Sequence, residues 1–143
     1  MSDAPFQSFE DFWPFYVREH ANKTNRTLHF IGTSLAMGCV AAAALTKRKA
    51  FLLAAPVMGY GFAWFGHFVV EGNRPATFKY PAWSLRGDFR MWRLIAAGEM
   101  DDEVARVLRD EAAGEKASQG KSNGEAKPGP KPAASTRDPQ TLN

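Results

Sequence analysis

The stretch "LHFIGTSLAMGCVAAAALTKRKAFLLAAPVMGYGFAWFGHFVV", residues 28–70, contains two uncharged apolar runs of 18 and 20 residues. Each run is about long enough for an α-helix to cross the roughly 30 Å of hydrocarbon in a bilayer. Only "TKRKA" separates the runs, so they can form only a tight antiparallel hairpin with a cationic tip. We therefore predict an all-α fold built on a membrane-embedded antiparallel helical hairpin. The alternative is a pair of buried helices in a soluble bundle, but the rest of the chain offers no large amphipathic surface to bury both.

The segments on either side of the hairpin carry aromatic side chains and are predicted to be interfacial helices. Before the hairpin, an aromatic stripe at spacings of three and four predicts a short helix that lies against the bilayer or the hairpin. This aromatic stripe consists of Phe6, Phe9, Phe12, Trp13 and Tyr16. The polar break after it offers Thr24 or Asn25 as the cap of the first long helix. After the hairpin, four aromatic residues are expected at the level of the lipid headgroups: Tyr80, Trp83, Phe89 and Trp92.

The end of the chain differs from the rest in composition. The sequence "EMDDEVARVLRDEA" predicts a short, charged surface helix. From Ala112 onward there is no aromatic residue and much Lys, Pro, Gly, Ser and Ala. Such a segment cannot bury enough apolar area to offset the entropy lost on ordering. We therefore expect a membrane-embedded helical domain in residues 1–111 and a disordered tail in residues 112–143.

Charge and cysteine content narrow the classes of partner and site. The net charge of +3 is mild and does not by itself distinguish a membrane surface from a solvated tail or nucleic acid. Because of the predicted membrane hairpin, we expect membrane lipid, and no nucleic acid, as the partner. Cys39 is the only cysteine, which excludes an intramolecular disulfide and a site of several thiolates. The first residues lack a basic region followed by an apolar one, so no secretory signal is expected.

The three histidines are predicted to meet at one end of the hairpin. With the turn centred near Arg48, His29 lies 19 residues before it and His67 lies 19 residues after it. Equal distances along an antiparallel hairpin mean equal depth, so these two imidazoles are expected to face each other, far from the cationic tip. His20 precedes His29 across a polar loop and can fold back to the same end.

The faces of the two long helices that carry histidines also carry small residues. The stripes are His29, Gly32, Thr33 and Ala36 on the first helix, and Gly59, Ala63, His67 and Glu71 on the second. Small residues allow helix backbones to approach closely in a membrane. We therefore expect these two faces to form the contact between the helices.

Imidazoles beside carboxylates indicate a candidate metal site. Glu71 follows His67 by one turn, and Asp88 can reach the same end of the hairpin. Neutral imidazoles with a carboxylate suit zinc or ferrous iron, and two histidines with one carboxylate recur in oxygen-activating iron enzymes. Other interpretations stay open. His67 and Glu71 can form a simple hydrogen-bonded pair, His29 and His67 can be the axial ligands of haem in an electron carrier, or the cluster can fix only the register of a non-catalytic membrane module.

Two long motifs resemble a known family. The motifs "FYVREHANKTNRTLHFIGT" and "AWFGHFVVEGNRPATFKYPAWSLRGDFRMW" are similar to the fungal 2-hydroxy fatty acid dioxygenase family, whose fungal member works in phytosphingosine breakdown. The resemblance covers about residues 12–92. It implies a membrane-embedded enzyme with Fe²⁺ that uses O2 to shorten a 2-hydroxy fatty acid by one carbon, which is fatty acid α-oxidation.

The resemblance also implies roles for individual residues. The family's essential histidines correspond to His20, His29 and His67, which implies that they bind the metal. We expect Glu71, or alternatively Asp88, as a further ligand or base, and we expect the catalytic residues to be Glu71, Asn73 and Asp88. For the substrate, Arg74 or Arg86 is expected to pair with the carboxylate, and the alkyl chain is expected along Phe62, Trp64, Phe65 and Phe68.

The distribution of Lys and Arg predicts the orientation of the hairpin. The tip carries three cationic residues, Lys47, Arg48 and Lys49. The opposite side carries seven: Arg18, Lys23, Arg26, Arg74, Lys79, Arg86 and Arg90. Because the side richer in Lys and Arg near the spans faces the cytoplasm, we expect an integral protein of the cell inner membrane with both termini and the histidines on the cytoplasmic side.

Overall fold

The computed structural model describes the backbone of residues 6–124 and the side chains of residues 6–118. Within these residues every regular element is helical, which confirms the all-α class. The elements, in chain order, are α1 (Phe9–Arg18), α2 (Lys23–Thr46), α3 (Ala50–Phe65), a π-helical turn (Gly66–Glu71), a 3-10 turn (Ala76–Phe78), α4 (Pro81–Ala97) and α5 (Met100–Gly124).

Helices α2 and α3 form the predicted antiparallel hairpin. The tip is short because α2 ends at Thr46, Lys47 adopts the left-handed conformation with φ 59°, and α3 begins at Ala50. The two backbones are close at Gly32, where a Cβ atom would lie 2.9 Å from the Cβ of Phe62 and 3.0 Å from the carbonyl oxygen of Met58. A Cβ at Gly32 would also lie 3.2 Å from the Gly59 carbonyl oxygen, and one at Gly59 would lie 3.7 Å from the Cβ of Ala36, which confirms the predicted small-residue contact at these positions.

The hairpin keeps most of its apolar surface uncovered by the other described residues. Both arms, Lys23–Thr46 and Ala50–Glu71, are long and apolar enough to cross a membrane by length and composition, but only 17% and 22% of their apolar windows are buried. Exposure is greatest near the tip, at Leu45, Leu53 and Val57. A soluble bundle that buried both helices would not leave these side chains in contact with solvent.

The aromatic stripe of α1 is buried in a core of its own, and its predicted place against the bilayer or the hairpin is wrong. Phe12 is fully buried, and the stripe packs with Met91 of α4 and with Met100, Val104 and Val107 of α5. The sequence of α5 looks charged, yet its apolar residues at spacings of three and four form a stripe that faces α1. The interior of the protein thus supplies the apolar partner that the sequence interpretation assigned to lipid.

The aromatic residues after the hairpin are also largely engaged within the protein. Tyr80 and Trp83 pack against the same core as α1. Trp92 donates its indole N–H to the Ser34 hydroxyl at 2.9 Å and stacks on Phe30 of α2, at 5.8 Å between ring centroids. Of the four residues expected at headgroup level, only Phe89 is an exposed large side chain, 47% accessible. Tyr80, Trp83 and Trp92 are only partly buried, so their position at headgroup level stays a prediction.

Helix α5 is longer than the short surface helix that the sequence predicted. It continues to Gly124, so the prediction of a disordered tail is wrong for residues 112–124. Ala, Glu, Lys and Gln in this segment are good helix formers, and extending an existing helix needs no new nucleation. The rest of the predicted tail, residues 125–143, lies outside the described residues. The chain divides into two compact units, Met1–Glu111 and Ala112–Asn143, while the assignment of a membrane domain and a tail stays a prediction.

Candidate metal centre

Three separate segments each supply one histidine to a single cluster in the first unit. His20 lies in the turn after α1, His29 in the first turns of α2, and His67 in the π-helical turn that continues α3. The centroid of the His20 ring lies 4.5 Å from the centroids of both other rings, and those of His29 and His67 lie 5.1 Å apart. The predicted convergence of the three histidines at one end of the hairpin is confirmed.

The three imidazoles are buried, and each is held by a hydrogen bond at its Nδ1 atom. Their exposed fractions are 1%, 4% and 2% in chain order. The acceptors are the Tyr16 carbonyl oxygen at 2.6 Å for His20, Asp88 Oδ1 at 2.9 Å for His29, and Asn73 Oδ1 at 2.7 Å for His67. A carbonyl, a carboxylate and an amide oxygen can only accept, so every Nδ1 must carry the proton. In the neutral rings the lone pair is therefore on Nε2.

The free Nε2 atoms are what a metal ion requires. Among the described residues, the Nε2 atoms of His20 and His29 are buried and have no hydrogen-bond partner. One ring nitrogen from each of the three histidines lies within 4.8 Å of the other two. Burial, followed by the two neighbouring imidazoles, lowers the pKa of His20 well below its usual value, so this ring is neutral at pH 7. Buried, converging nitrogens with anchored Nδ1 atoms match the usual arrangement of histidine ligands around a metal.

Asp88 and Tyr16 fix the orientation of His29 and His20. The Tyr16 hydroxyl donates to the same Asp88 oxygen that accepts the His29 Nδ1 proton, while its backbone carbonyl accepts from His20. The ring of Tyr16 fits because residue 87 is glycine: a Cβ there would lie 2.8 Å from Tyr16 Cε2. Asp88 therefore hydrogen-bonds to the Nδ1 atom of His29, and it does not belong to the group of converging ligand atoms.

Asn73 performs the same task for His67 from the loop after the π-helical turn. Its side-chain amide donates to the backbone carbonyl oxygen and to Oε2 of Glu19, both at 3.0 Å, and its backbone N–H donates to the His67 carbonyl oxygen at 3.0 Å. These contacts settle which end of the amide is the oxygen, since the other end must donate twice. Asn73 thus links the loop, the end of α1 and the His67 ring.

Glu71 is not one of the converging groups. Its carboxylate accepts from the backbone N–H of Asn22 at 3.1 and 3.3 Å. Asn22 is the N-cap of α2, since its side chain accepts from the Thr24 N–H, so the expectation of Thr24 or Asn25 as the cap is wrong. The predicted alignment of Glu71 with His67 requires an α-helix that continues through Glu71. The chain instead changes to π-helical geometry at Gly66. A wider turn rotates Glu71 away from the histidine face, and π-helical turns are frequent at functional sites.

The two arginines expected to bind substrate lie at the surface. Arg86 is 63% exposed, 3.8 Å from Glu10, and its guanidinium lies 4.1 Å from the centroid of the Phe9 ring. Arg74 is exposed in the loop after the π-helical turn. Neither residue is brought to the three histidines by a contact among the described residues, so their predicted role in binding a carboxylate stays a prediction.

Asn25 is a polar residue of this region that the sequence interpretation missed. It is fully buried, and neither its amide nitrogen nor its oxygen has a partner among the described residues. It lies one turn before His29 on α2 and packs on Gly66, where a Cβ atom would overlap its side-chain oxygen. The spacing of four from His29 places it on the histidine face, a signal that its assignment as a candidate cap obscured.

A largely apolar groove of about 410 Å³ runs along the hairpin from the histidine end. His29 and Asp88 line one end of this groove, which lies between α2, α3 and α4 and extends to Val40 and Ala55. Of the side chains expected along the alkyl chain, Phe62, Trp64, Phe65 and Phe68 do not line it. Trp64, Phe65 and Phe68 are instead 40–55% exposed. That expectation is not supported. It considered how many aromatic residues the segment contains, and not which face of the helix each one occupies.

The comparisons with known proteins bear on the whole of this site. Neither the curated proteins nor the solved structures contain a match to the chain. A family model described as "2-hydroxy-palmitic acid dioxygenase Mpo1-like" matches residues 6–100. That range contains the three histidines with Tyr16, Asn73 and Asp88, and it covers more than half of the chain. The resemblance seen in the sequence motifs is thereby confirmed, and the chain belongs to the Mpo1-like family.

Proposed function

We propose that this chain is a ferrous iron-dependent dioxygenase that shortens 2-hydroxy fatty acids by one carbon at the membrane. The observation that carries the proposal is the set of three buried imidazoles, each protonated and anchored at Nδ1 and each leaving Nε2 for a cation. The family description supplies the reaction class and a 2-hydroxy acid as the substrate.

The donor set and the reaction class together favour iron. Three imidazole nitrogens suit either zinc or ferrous iron. Zinc has no redox chemistry, whereas an oxygenase must pass electrons to O2. When bound, ferrous iron supplies the reaction with O2. One 2-hydroxy acid and one O2 balance to one acid shorter by a carbon, one carbon dioxide and one water, so the overall reaction needs no further reductant.

The protein's own residues have three tasks in this proposal. His20, His29 and His67 hold the metal, and Asp88 and Asn73 keep two of the rings in the tautomer that presents Nε2. Because the cluster is buried, water is largely excluded from the histidine end, which strengthens the polar interactions made there. The roles of Glu71 as a base, of Asp88 and Asn73 in catalysis, and of Arg74 or Arg86 at the substrate carboxylate remain parts of the proposal, whereas Glu71 as a metal ligand does not, because its carboxylate contacts the Asn22 N–H.

The membrane placement is supported by the exposed apolar surface of the hairpin. Side chains such as Leu53 and Val57, 76% and 66% exposed, are costly in water and favourable in hydrocarbon. We propose that the hairpin spans the cell inner membrane and that the histidines face the cytoplasm, as the Lys and Arg distribution predicts. A reporter fused after Asn143 should be active only in the cytoplasm, and activity only outside it would contradict this orientation.

A haem electron carrier is less well supported by the geometry. The ring of His20 lies 4.5 Å from both His29 and His67. A porphyrin placed between His29 and His67 would have to displace His20 from its hydrogen bond to the Tyr16 carbonyl oxygen. A Soret band in the purified protein would nevertheless favour the carrier.

The decisive experiment is a product assay. The full chain, purified in detergent and loaded with iron, is incubated with 2-hydroxypalmitate under air, and the fatty acid one carbon shorter is measured by mass spectrometry. We expect product from the wild type and from Val57→Ala, an exposed hairpin variant, and none from His67→Ala. Wild-type protein that binds iron but forms no product would favour a non-catalytic membrane module.

A further inference from the structure

We propose that the groove between α2, α3 and α4 binds the alkyl chain of the substrate and that its far end, at Val40 and Ala55, sets the chain length that the enzyme accepts. This inference rests on the proposed function, because it takes the histidine end as the place where the 2-hydroxy acid reacts. It adds a binding site and the residues that give it selectivity.

The polarity of the groove matches a ligand with one polar end. His29 and Asp88 lie at one end, next to the cluster of imidazoles. Apart from the hydroxyl groups of Thr33, Tyr60 and Thr77, the remaining lining side chains are apolar. A 2-hydroxy acid has its hydroxyl and carboxylate on adjacent carbons at one end and only methylene groups beyond them. The groove therefore orients such a molecule with its reactive carbons towards the histidines.

The length and width of the groove fit one extended chain. His29 and Val40 are eleven residues apart on α2, which corresponds to about 16 Å along the helix axis. On the antiparallel α3 the lining runs from Ala63 to Ala55, about 12 Å in the same direction. Residues at the base of the groove are small, and α2 and α3 approach closely there: a Cβ atom added at Gly59 would lie 3.7 Å from the Cβ of Ala36. The groove volume of about 410 Å³ is within the usual range for small-molecule sites, about 300–1,000 Å³.

The rim of the groove explains how a lipid would enter. Tyr60 and Phe89 line the groove and are 38% and 47% exposed, and Val40 is 50% exposed. These side chains are continuous with the uncovered apolar surface of the hairpin, which we place in the membrane. A fatty acid dissolved in the bilayer can therefore reach the groove sideways, without passing through water.

The test compares two variants that add the same bulk at different places. Val40→Phe fills the far end of the groove, whereas Val57→Phe adds a ring to an exposed part of α3 that does not line it. For Val40→Phe we expect kcat/KM for 2-hydroxypalmitate to fall about tenfold or more relative to 2-hydroxydecanoate, since a pocket discriminates methylene groups by roughly that factor. Val57→Phe should keep the wild-type ratio. Equal ratios in all three proteins would overturn the proposal.

A binding measurement separates this inference from the proposed reaction. The full chain in lipid nanodiscs is irradiated with a long-chain 2-hydroxy acid that carries a diazirine at its terminal carbon, and the labelled peptides are identified by mass spectrometry. We expect adducts at the groove-lining Met37, Val40, Ala55 and Pro56, reduced in Val40→Phe but not in Val57→Phe. Adducts spread over the outward-facing Leu52, Leu53 and Val57 would overturn the groove. Labelling in the groove without any turnover would support the groove and count against the proposed reaction.

Discussion

The two ends of the hairpin differ in what they bury: one end encloses polar imidazoles, and the other leaves apolar side chains exposed. At the histidine end, α1, α4 and the loop after the π-helical turn surround three imidazoles, and each Nδ1 atom has an acceptor. At the tip end, only the short loop of residues 47–49 joins the helices, and apolar side chains such as Leu45 and Leu53 are 84% and 76% exposed. The same two helices therefore serve as one wall of a buried polar site and as an uncovered apolar surface.

This difference shows which half of the hairpin carries specificity. Buried polar groups must be satisfied and are sensitive to small changes in geometry. Exposed apolar residues near the tip make few specific contacts within the described part of the chain and should tolerate substitution by other apolar residues. We therefore expect changes at the histidine end to alter metal binding and stability, and comparable changes near the tip to alter neither.

The largest effect among these comparisons is expected for Asp88→Ala. This change leaves the His29 Nδ1 proton and the Tyr16 hydroxyl without their shared acceptor, and loss of such an outer partner typically lowers metal affinity by about 10–100-fold. The matched change at the tip, Thr46→Ala, removes an exposed hydroxyl that donates to the Ala42 carbonyl oxygen and should leave the affinity unchanged. Iron affinity measured by competition with a chelator gives both numbers, and equal losses would contradict the contrast between the ends.

The convergence of the histidines could be predicted because it depends only on the lengths of the two helices and of the loop between them. Two spans of known length and a short tip bring His29 and His67 to the same depth, and the structure places their rings 5.1 Å apart. The small residues on the same faces, such as Gly32, indicated the helix contact for a similar reason. Each inference needed only helix geometry and the length of the loop.

The surroundings of the histidines could not be predicted, because they depend on contacts between segments that are distant in the sequence. Nothing local reveals that the stripe of α1 packs on α5, or that Asp88 lies behind His29. The placement of Glu71 failed for another reason, since a periodicity of 3.6 residues does not hold through the π-helical turn. Asn25 was read as a cap because polar residues are common there, although Asn22 takes that position.

A second, smaller effect is expected from a pair of glycine substitutions in the second arm of the hairpin. Gly66→Ala places a methyl group where the Asn25 side chain lies, whereas a Cβ at Gly61 meets nothing within 4 Å. Overpacking of this kind costs about 1–3 kcal/mol, while Gly61→Ala should be neutral or stabilising by up to about 1 kcal/mol, because alanine favours the helix. Thermal unfolding in detergent measures both, and equal unfolding temperatures would show that the packing at Gly66 is not tight.

The smallest effect is expected at Glu103 of α5, whose side chain contacts Trp13 of α1, the helix that precedes His20. Its carboxylate accepts from the Trp13 indole at 2.7 Å and pairs with Arg106 at 2.8 Å. The hydrogen bond from Arg106 contributes most to lowering the pKa of Glu103 to about 2, followed by the hydrogen bond from Trp13 and the charge of Arg106. A lowered pKa stabilises the fold above the ordinary value of 4.5, and this contribution is lost as the pH falls from there towards about 2.

The stability of Glu103→Gln as a function of pH tests this contact. At pH 7 the substitution should cost about 1 kcal/mol or less, because Arg106 is half exposed and solvent weakens the pair. The difference between the two proteins should shrink on going from pH 5 to pH 2. A difference that stays constant over this range would mean that the charge of Glu103 contributes nothing to the fold.

The most direct test of the metal site is the iron content of the ligand variants. Iron per chain is measured by mass spectrometry for the wild type and for His20→Ala, His29→Ala and His67→Ala, with Glu71→Gln as the control, because its carboxylate contacts the Asn22 N–H and not the cluster. We expect one iron per chain in the wild type and in Glu71→Gln, and loss of iron in each histidine variant. Retention of iron in the folded histidine variants, or its loss in Glu71→Gln alone, would contradict the claim that the three imidazoles form the site.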